Sequence, residues 1–76
     1  MEELVSTLVR GLVREPDRVR VREKSIHGRL VIEVSVDPED RGRVIGRRGR
    51  TANALRTLLG AVAHRRDCSC QLEILD

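Results

Sequence analysis

Two glycines three residues apart, with two arginines between them, constrain this chain more than any other feature. Gly46 and Gly49 follow the apolar pair Val44-Ile45 and precede an apolar-periodic segment that begins near Thr51. Glycine adopts positive φ and has no Cβ, so this spacing predicts a tight connection between two helices whose backbone another molecule can approach closely. Five arginines and no acidic residue lie in residues 41–50, which indicates that the approaching molecule is anionic.

The charges are unevenly distributed along the whole chain. Residues 41–66 hold eight arginines and no Asp or Glu, whereas all twelve acidic residues and the other seven of the fifteen basic residues lie elsewhere. A one-sided field of this kind steers a polyanion to one surface, and a phosphodiester backbone is the natural candidate. An arginine-rich proteome would explain why fourteen of the fifteen basic residues are Arg, but not why acids are missing from this tract. The chain has no Phe, Tyr or Trp, so base stacking on aromatic rings is excluded.

Length and composition favour one small cytoplasmic domain. A chain of 76 residues buries only about 60% of its unfolded surface, so we expect a single domain over residues 1–76 with a modest core. No apolar run is long enough to span a bilayer, and the acidic start Met1-Glu2-Glu3 is unlike a signal peptide.

Periodicity in the first half predicts a helix followed by two strands. Residues 1–14 carry one row of leucines (Leu4, Leu8, Leu12) and one of valines (Val5, Val9, Val13), which predicts an amphipathic helix that Pro16 ends. Residues 18–24 alternate, with Val19 and Val21 on one face and arginines on the other, as in a charged edge strand. A turn over residues 25–28 leads to residues 29–36, whose greater apolar content is typical of a central strand.

The second half predicts two helices and a closing strand. Asp37 is placed to cap a short helix that ends near Val44-Ile45, and a longer helix runs over residues 50–64. Its amide groups and positive dipole end point at the glycine turn, while Arg50, Asn53 and Arg56 face solvent or ligand. Residues 68–75 form a strand. The expected inward residues of these last two elements are Ala52, Leu55, Leu58, Leu59, Val62, Ala63, Cys68, Cys70, Leu72 and Ile74.

This order of elements, with Val44-Ile45-Gly46-Arg47-Arg48-Gly49 in the turn, resembles a KH domain of the type II topology. Residues 44–56 and the chain length are similar to the small stand-alone bacterial KH proteins of the KhpA type. The resemblance implies an α+β fold with the order α-β-β-α-α-β, a three-stranded mixed sheet packed against three helices, and two parallel strands joined across the helix pair.

The resemblance also implies that Gly46, Arg47, Arg48 and Gly49 clamp the backbone of about four single-stranded RNA nucleotides. The bases would then lie over an aliphatic groove near Val44, Ile45, Ala52 and Val36. Arg43, Arg50, Asn53 and Arg56 complete the RNA-binding residues that we expect. Relatives of this kind are expected to act as RNA chaperones or post-transcriptional regulators, and to form homodimers or heterodimers with a larger KH-containing protein.

Three alternatives to RNA binding stay open. The small core and the apolar rows of the first helix also fit a protein–protein assembly module, with RNA binding secondary. A helix–turn–helix for duplex DNA is less consistent with the residues. The turn is built on glycines and the second helix is expected to bury its apolar residues, which leaves few side chains to read a major groove. In the third alternative, the turn between the two helices has a purely structural role, and its arginines only make the surface soluble.

We expect no enzyme activity, no cofactor and no metal. The spacing of Gly42, Gly46 and Gly49 is not that of a nucleotide-binding loop, and no Lys follows. His27 and His64 have no carboxylate pattern that connects them. Cys68 and Cys70 share a strand face, but two thiolates make only half a zinc site, so we interpret both as buried small apolar residues.

Overall fold

A three-stranded sheet covered by helices organises the chain in the computed structural model, which describes residues 1–75. The strands are β1 (Arg20–Ile26), β2 (Arg29–Ser35) and β3 (Ser69–Ile74), in the spatial order β1-β2-β3. The helices are α1 (Glu2–Arg10), α2 (Arg41–Ile45) and α3 (Arg50–Arg65). These elements confirm the predicted α+β class and the order α-β-β-α-α-β.

The sheet has the predicted mixed topology. β1 pairs with β2 antiparallel through a two-residue connection, His27-Gly28, in which both φ angles are positive (51° and 78°), as a type I′ hairpin turn requires. β2 pairs with β3 parallel, with Ile32 opposite Leu72. β1 is therefore an edge strand and β2 the central strand, as predicted. The turn is shorter than the expected residues 25–28, because Ser25 and Ile26 still pair with β2.

The core lies between the helices and one face of the sheet. Val5 and Val9 of α1, Val44 of α2 and Leu59 of α3 are 0–1% exposed, and they pack with Ile32, Val34 and Leu72 of the sheet. All three helices thus share one hydrophobic core. Among residues 1–75, no helix combines the length and the apolar character needed to cross a bilayer.

The first helix is shorter than predicted. It ends at Arg10, not near residue 14, and residues 16–18 form a separate 3₁₀ turn. The reason is a distant contact: the backbone N–H groups of Arg14 and Glu15 donate to the carboxylate of Asp40, so they are not available to a continuing helix. The 3₁₀ turn also delays β1, which begins at Arg20 instead of Arg18.

Other boundaries and faces differ in detail. β2 ends at Ser35, α3 extends to Arg65, and β3 covers residues 69–74 instead of 68–75. The valine row of α1 is the buried one, whereas Leu4 and Leu12 are 38% and 37% exposed. Leu58 was expected to be buried beside the α3 stripe, but it is 43% exposed.

Candidate nucleic-acid interface

The loop between α2 and α3 has a backbone that only a few residue types tolerate. Gly46, Arg48 and Gly49 have φ angles of 77°, 55° and 73°. The N–H of Gly46 donates to the carbonyl of Gly42 (2.8 Å), and the N–H of Gly49 donates to the carbonyl of Gly46 (3.1 Å). The predicted tight connection is confirmed, and it uses left-handed or extended positive-φ conformations at three of its four residues.

The two glycines of this loop are required for different reasons. A Cβ on Gly46 would overlap Oγ1 of Thr51 and lie 2.8 Å from Thr51 Cβ and 2.9 Å from its backbone nitrogen. A Cβ on Gly49 would meet only Nδ2 of Asn53, at 3.9 Å. Gly46 therefore allows α2 and α3 to approach closely, whereas Gly49 is required mainly by its dihedral angles and leaves open space beside the loop.

The N-terminus of α3 opens directly at this loop. Gly49 is its N-cap, no side chain caps the first turn, and that turn contains no acidic residue. The contrast with α1 is clear, because Glu2 and Glu3 lie in the first turn of that helix. The amide groups and positive dipole end of a 16-residue helix thus face the loop, and no acidic side chain in the first turn neutralises them.

Three of the predicted arginines lie together at the surface. Arg47, Arg48 and Arg50 are exposed and line one depression of about 460 Å³ beside the loop. Arg43 does not line this depression, and its Nε pairs with Oδ1 of Asp40 at 3.6 Å. Arg56 also lies apart, and its guanidinium donates to Oδ1 of Asn53 at 3.3 Å.

The apolar residues expected near the bases differ in exposure. Val44, Ala52 and Val36 are 0%, 2% and 8% exposed, so their side chains are buried and present almost no surface to a ligand. Ile45 is 37% exposed. It is thus the one member of this group that presents substantial aliphatic surface to solvent.

Asp40 is a residue of this region that sequence analysis missed. It is 2% exposed, and its carboxylate accepts from the N–H of Arg14 (3.1 Å) and of Glu15 (3.0 Å) as well as pairing with Arg43. It therefore connects the segment after α1 to the start of α2, which leads into the loop. Its sequence position at a helix start gave no sign of this contact, because its partners lie 25 and 26 residues away.

The other chemically reactive side chains do not gather into a site. Cys68 and Cys70 are free and half-buried. Burial, followed by the nearby Cys68 and Glu23, raises the pKa of the Cys70 thiol above its ordinary value. In the described part of the chain, no three His, Cys, Asp or Glu side chains lie close enough to hold a metal ion.

Comparison with known proteins agrees with this architecture. Residues 2–74 match the family model described as KhpA/KhpB, KH domain. An RNA-binding protein KhpA from Streptomyces coelicolor is 49% identical over 65 residues, which cover 86% of this chain and 82% of that protein. The protein of the same name from Listeria monocytogenes is 42% identical over 76 residues, the full length of both chains.

A third relative is more similar over a shorter segment. The RNA-binding protein KhpA of Leifsonia xyli is 61% identical over 56 residues, which cover 74% of each chain. No solved structure matches. The family-model match over nearly all of the sequence, together with these relatives, shows that the chain belongs to the KhpA/KhpB family of KH domains.

Proposed function

We propose that this protein binds single-stranded RNA without catalysing a reaction, and that residues 46–49 hold the RNA backbone. One observation carries the proposal: a turn with open space beside Gly49, the uncapped start of α3 and the guanidiniums of residues 47, 48 and 50 meet at one surface. Each of these features attracts phosphate by a different physical mechanism. The relatives from Streptomyces coelicolor and Listeria monocytogenes are named as RNA-binding proteins, which supports the same ligand.

Each group has a distinct role in this proposal. The missing side chain at Gly49 lets a phosphate approach the backbone, while Arg47, Arg48 and Arg50 supply the opposite charge. The bases contact the aliphatic surface of Ile45, because the chain offers no aromatic ring for stacking. Asn53 and Arg56 provide polar groups on the same helix, whereas Val44, Ala52 and Val36 are buried and offer the bases almost no surface.

A titration of labelled single-stranded RNA at several salt concentrations tests the proposal. Neutralising about four phosphates on a single strand predicts a slope of log affinity against log salt near −3. Replacing both loop arginines (Arg47→Asp, Arg48→Asp) should reduce binding by at least about tenfold and make the slope shallower by about 1.4. The backbone tolerates this change, since Asp is among the residues that adopt the positive φ of Arg48.

A matched control separates local contact from net charge. The exposed Arg10 and Arg18 lie outside the acid-free tract, and changing both to Asp alters the net charge equally. We expect this control to bind RNA within about threefold of wild type, because Arg10 lies on α1 and Arg18 on the 3₁₀ turn after it, outside the loop and α3. Equal losses in both double variants would contradict a specific role for the loop.

Duplex DNA provides the second comparison. The accessible groups of the loop are backbone and guanidinium groups that suit a flexible strand, and the apolar stripe of α3 (Ala52, Leu55, Leu59 and Ala63) is buried. We therefore expect single-stranded RNA to bind more tightly than duplex DNA at equal salt. Tighter binding of duplex DNA would favour the helix–turn–helix alternative.

An assembly role is the second candidate, and exposed leucines favour it. Leu4, Leu12 and Leu58 are 37–43% exposed on α1, just after it, and on α3. Within this proposal the protein pairs with itself or with a larger KH-containing partner, and acts in the cytoplasm as an RNA chaperone or post-transcriptional regulator. Sedimentation at micromolar concentration tests self-association, and a strict monomer would remove the homodimer.

A further inference from the structure

The strand β1 presents a long and regular open edge. It pairs with β2 over its whole length, and among residues 1–75 no strand pairs with its other side. Its seven residues include no Pro, and they pair one-to-one with β2 without a bulge. Short strands, prolines and bulges are common devices that prevent a further strand from adding to a sheet edge. Because β1 has none of these, its charges decide which strand adds to it.

The hairpin geometry decides which backbone groups of β1 face outward. In a two-residue hairpin the residues that flank the turn exchange their hydrogen bonds, and every second residue before them does the same. Ile26 flanks the turn of this hairpin, so the even-numbered residues of β1 bond to β2. The N–H and C=O groups of Val21, Glu23 and Ser25 therefore point to the open edge, and no other backbone hydrogen bond within residues 1–75 uses them.

A row of basic side chains lies beside this edge. Val21 packs against the core, so its neighbours Arg20 and Arg22 lie on the sheet face that the helices leave open. Lys24 continues the row and pairs with Glu33 of β2 at 3.3 Å. Arg22 is exposed and has no carboxylate partner among residues 1–75. An added strand thus meets basic side chains about 7 Å apart, which is the spacing of alternate residues in its own extended chain.

The edge of β1 is separate from the proposed RNA-binding surface. α3, which begins at the glycine loop, packs on β3, whereas β1 packs on α1. β1 and β3 are the two opposite edges of the sheet. We therefore look for a different ligand at β1.

We propose that the edge of β1 binds an extended acidic segment of another protein, which adds to the three-stranded sheet as a further strand. The backbone of the segment pairs with the outward groups of Val21, Glu23 and Ser25, and its acidic side chains lie beside Arg22 and its basic neighbours. This inference is independent of RNA binding at the loop.

Two other occupants fit this edge less well. RNA phosphates are attracted by the basic row but repelled by the carbonyl oxygens of the same edge, whereas a polypeptide supplies N–H groups that pair with them. A second copy of β1 would bring two basic rows together, and like charges on adjacent strands destabilise their pairing. The charge of the row thus favours an acidic partner over a copy of the chain itself.

Titration with a synthetic peptide tests the proposal. The probe is fluorescein-labelled Glu-Val-Glu-Thr-Glu-Val-Glu, and the control peptide has Gln in place of each Glu. By fluorescence anisotropy, we expect saturable binding of the acidic peptide that weakens with salt, and binding of the Gln peptide that is at least about tenfold weaker. Arg22→Glu should weaken binding of the acidic peptide by at least about fivefold. Arg66→Glu makes the same charge change at an exposed residue after α3, and it should alter this affinity by less than about twofold.

Substitutions at residue 23 separate strand addition from attraction by charge. Proline there removes an outward N–H without removing a hydrogen bond to β2, and it also removes a negative charge. We expect Glu23→Pro to weaken binding of the acidic peptide by at least about fivefold, whereas attraction by charge alone would make binding tighter. Glu23→Thr removes the same charge but keeps the N–H, so it should bind the peptide at least as tightly as wild type.

Amide hydrogen exchange in the wild-type protein gives a readout that needs no variant. The outward N–H groups of Val21, Glu23 and Ser25 should exchange at least about fivefold more slowly when the acidic peptide is bound, because they then donate to its carbonyls. Circular dichroism checks that each variant is folded. If Glu23→Pro does not fold, the exchange measurement decides between strand addition and attraction by charge.

The other outcomes would overturn the proposal. They include absence of saturable binding up to about 1 mM acidic peptide, and equal binding of the acidic and Gln peptides. Equal affinities of Glu23→Pro and Glu23→Thr, with unchanged amide exchange, would show that no strand is added. If the peptide does not bind but Arg22→Glu weakens oligouridine binding, the edge belongs to RNA. If the peptide does not bind but Arg22→Glu changes the sedimentation of the protein, the edge belongs to a second copy.

Discussion

Replacing Gly46 with alanine tests whether close approach of α2 and α3 shapes the loop. Gly46 has φ 77° and ψ 171°, a region that is almost restricted to glycine and costs about 1–3 kcal/mol for other residues. The added Cβ would also overlap Thr51, at 2.8 Å from its Cβ and 2.9 Å from its backbone nitrogen. Rotation of the Thr51 side chain moves Oγ1 but neither of these two atoms. Overpacking of this kind adds about 1–3 kcal/mol, so we expect a total loss of about 2–6 kcal/mol.

That loss is large compared with the stability of the whole chain. At about 0.05–0.15 kcal/mol per residue, the free energy of unfolding of a protein of this length is about 4–11 kcal/mol. Urea unfolding followed by far-UV circular dichroism measures the change. Fluorescence is unsuitable because the chain contains no Trp or Tyr.

Two other glycines provide controls within the same region. Gly49→Ala should cost only about 1–2 kcal/mol, since its φ of 73° is unfavourable but the nearest atom to the added Cβ is 3.9 Å away. Gly42→Ala should stabilise the protein by about 0.5–1 kcal/mol, because it lies within α2 and the added Cβ contacts nothing. Equal losses for Gly46→Ala and Gly49→Ala, within about 0.5 kcal/mol, would refute the role assigned to Thr51.

Three further predictions concern the rest of the fold. Asp40→Ala should lower the free energy of unfolding by about 2–4 kcal/mol, because two backbone N–H groups lose their acceptor. The cap variant Asp37→Ala should lower it by only about 1 kcal/mol. A smaller effect for Asp40→Ala than for Asp37→Ala in urea unfolding would contradict the bridging role of Asp40. Stability should fall as pH rises above about 8.5, because burial raises the pKa of the Cys70 thiol in the folded state and the unfolded chain therefore releases this proton first. Cys70→Ala should flatten that part of a curve of unfolding free energy against pH. An unchanged curve would contradict this role of Cys70. Val5→Ala should lower the midpoint of urea unfolding clearly more than Leu4→Ala, since Val5 is 0% and Leu4 is 38% exposed, and the opposite order would place the wrong row of α1 in the core.

Local sequence predicted the elements that depend on neighbouring residues. The glycine spacing located the loop, Asp37 caps the turn that precedes α2 by accepting from the N–H of Glu39, and the apolar content of β2 placed it at the centre of the sheet. Each of these features is decided within a few residues by backbone preference or by alternation. The order of elements then indicated the family and, with it, the parallel pairing of β2 and β3.

The features that sequence analysis missed depend on distant contacts. The helix at the N-terminus ends early because Asp40, which is far away in sequence, takes the N–H groups of Arg14 and Glu15. The leucine and valine rows of α1 have the same spacing, so only the orientation of the helix on the sheet decides that Val5 is buried and Leu4 exposed.

The most direct test of the central claim is a map of backbone amide chemical shifts by NMR during titration with a short single-stranded oligouridine. The loop at residues 46–49 leads into the first turn of α3, which no side chain caps, and three exposed guanidiniums lie beside it. We predict that the largest shift changes occur at Gly46, Arg47, Arg48, Gly49 and Thr51, and that they weaken as salt increases. Large changes confined to α1 and β1, with the loop amides unmoved at saturating RNA, would contradict the account.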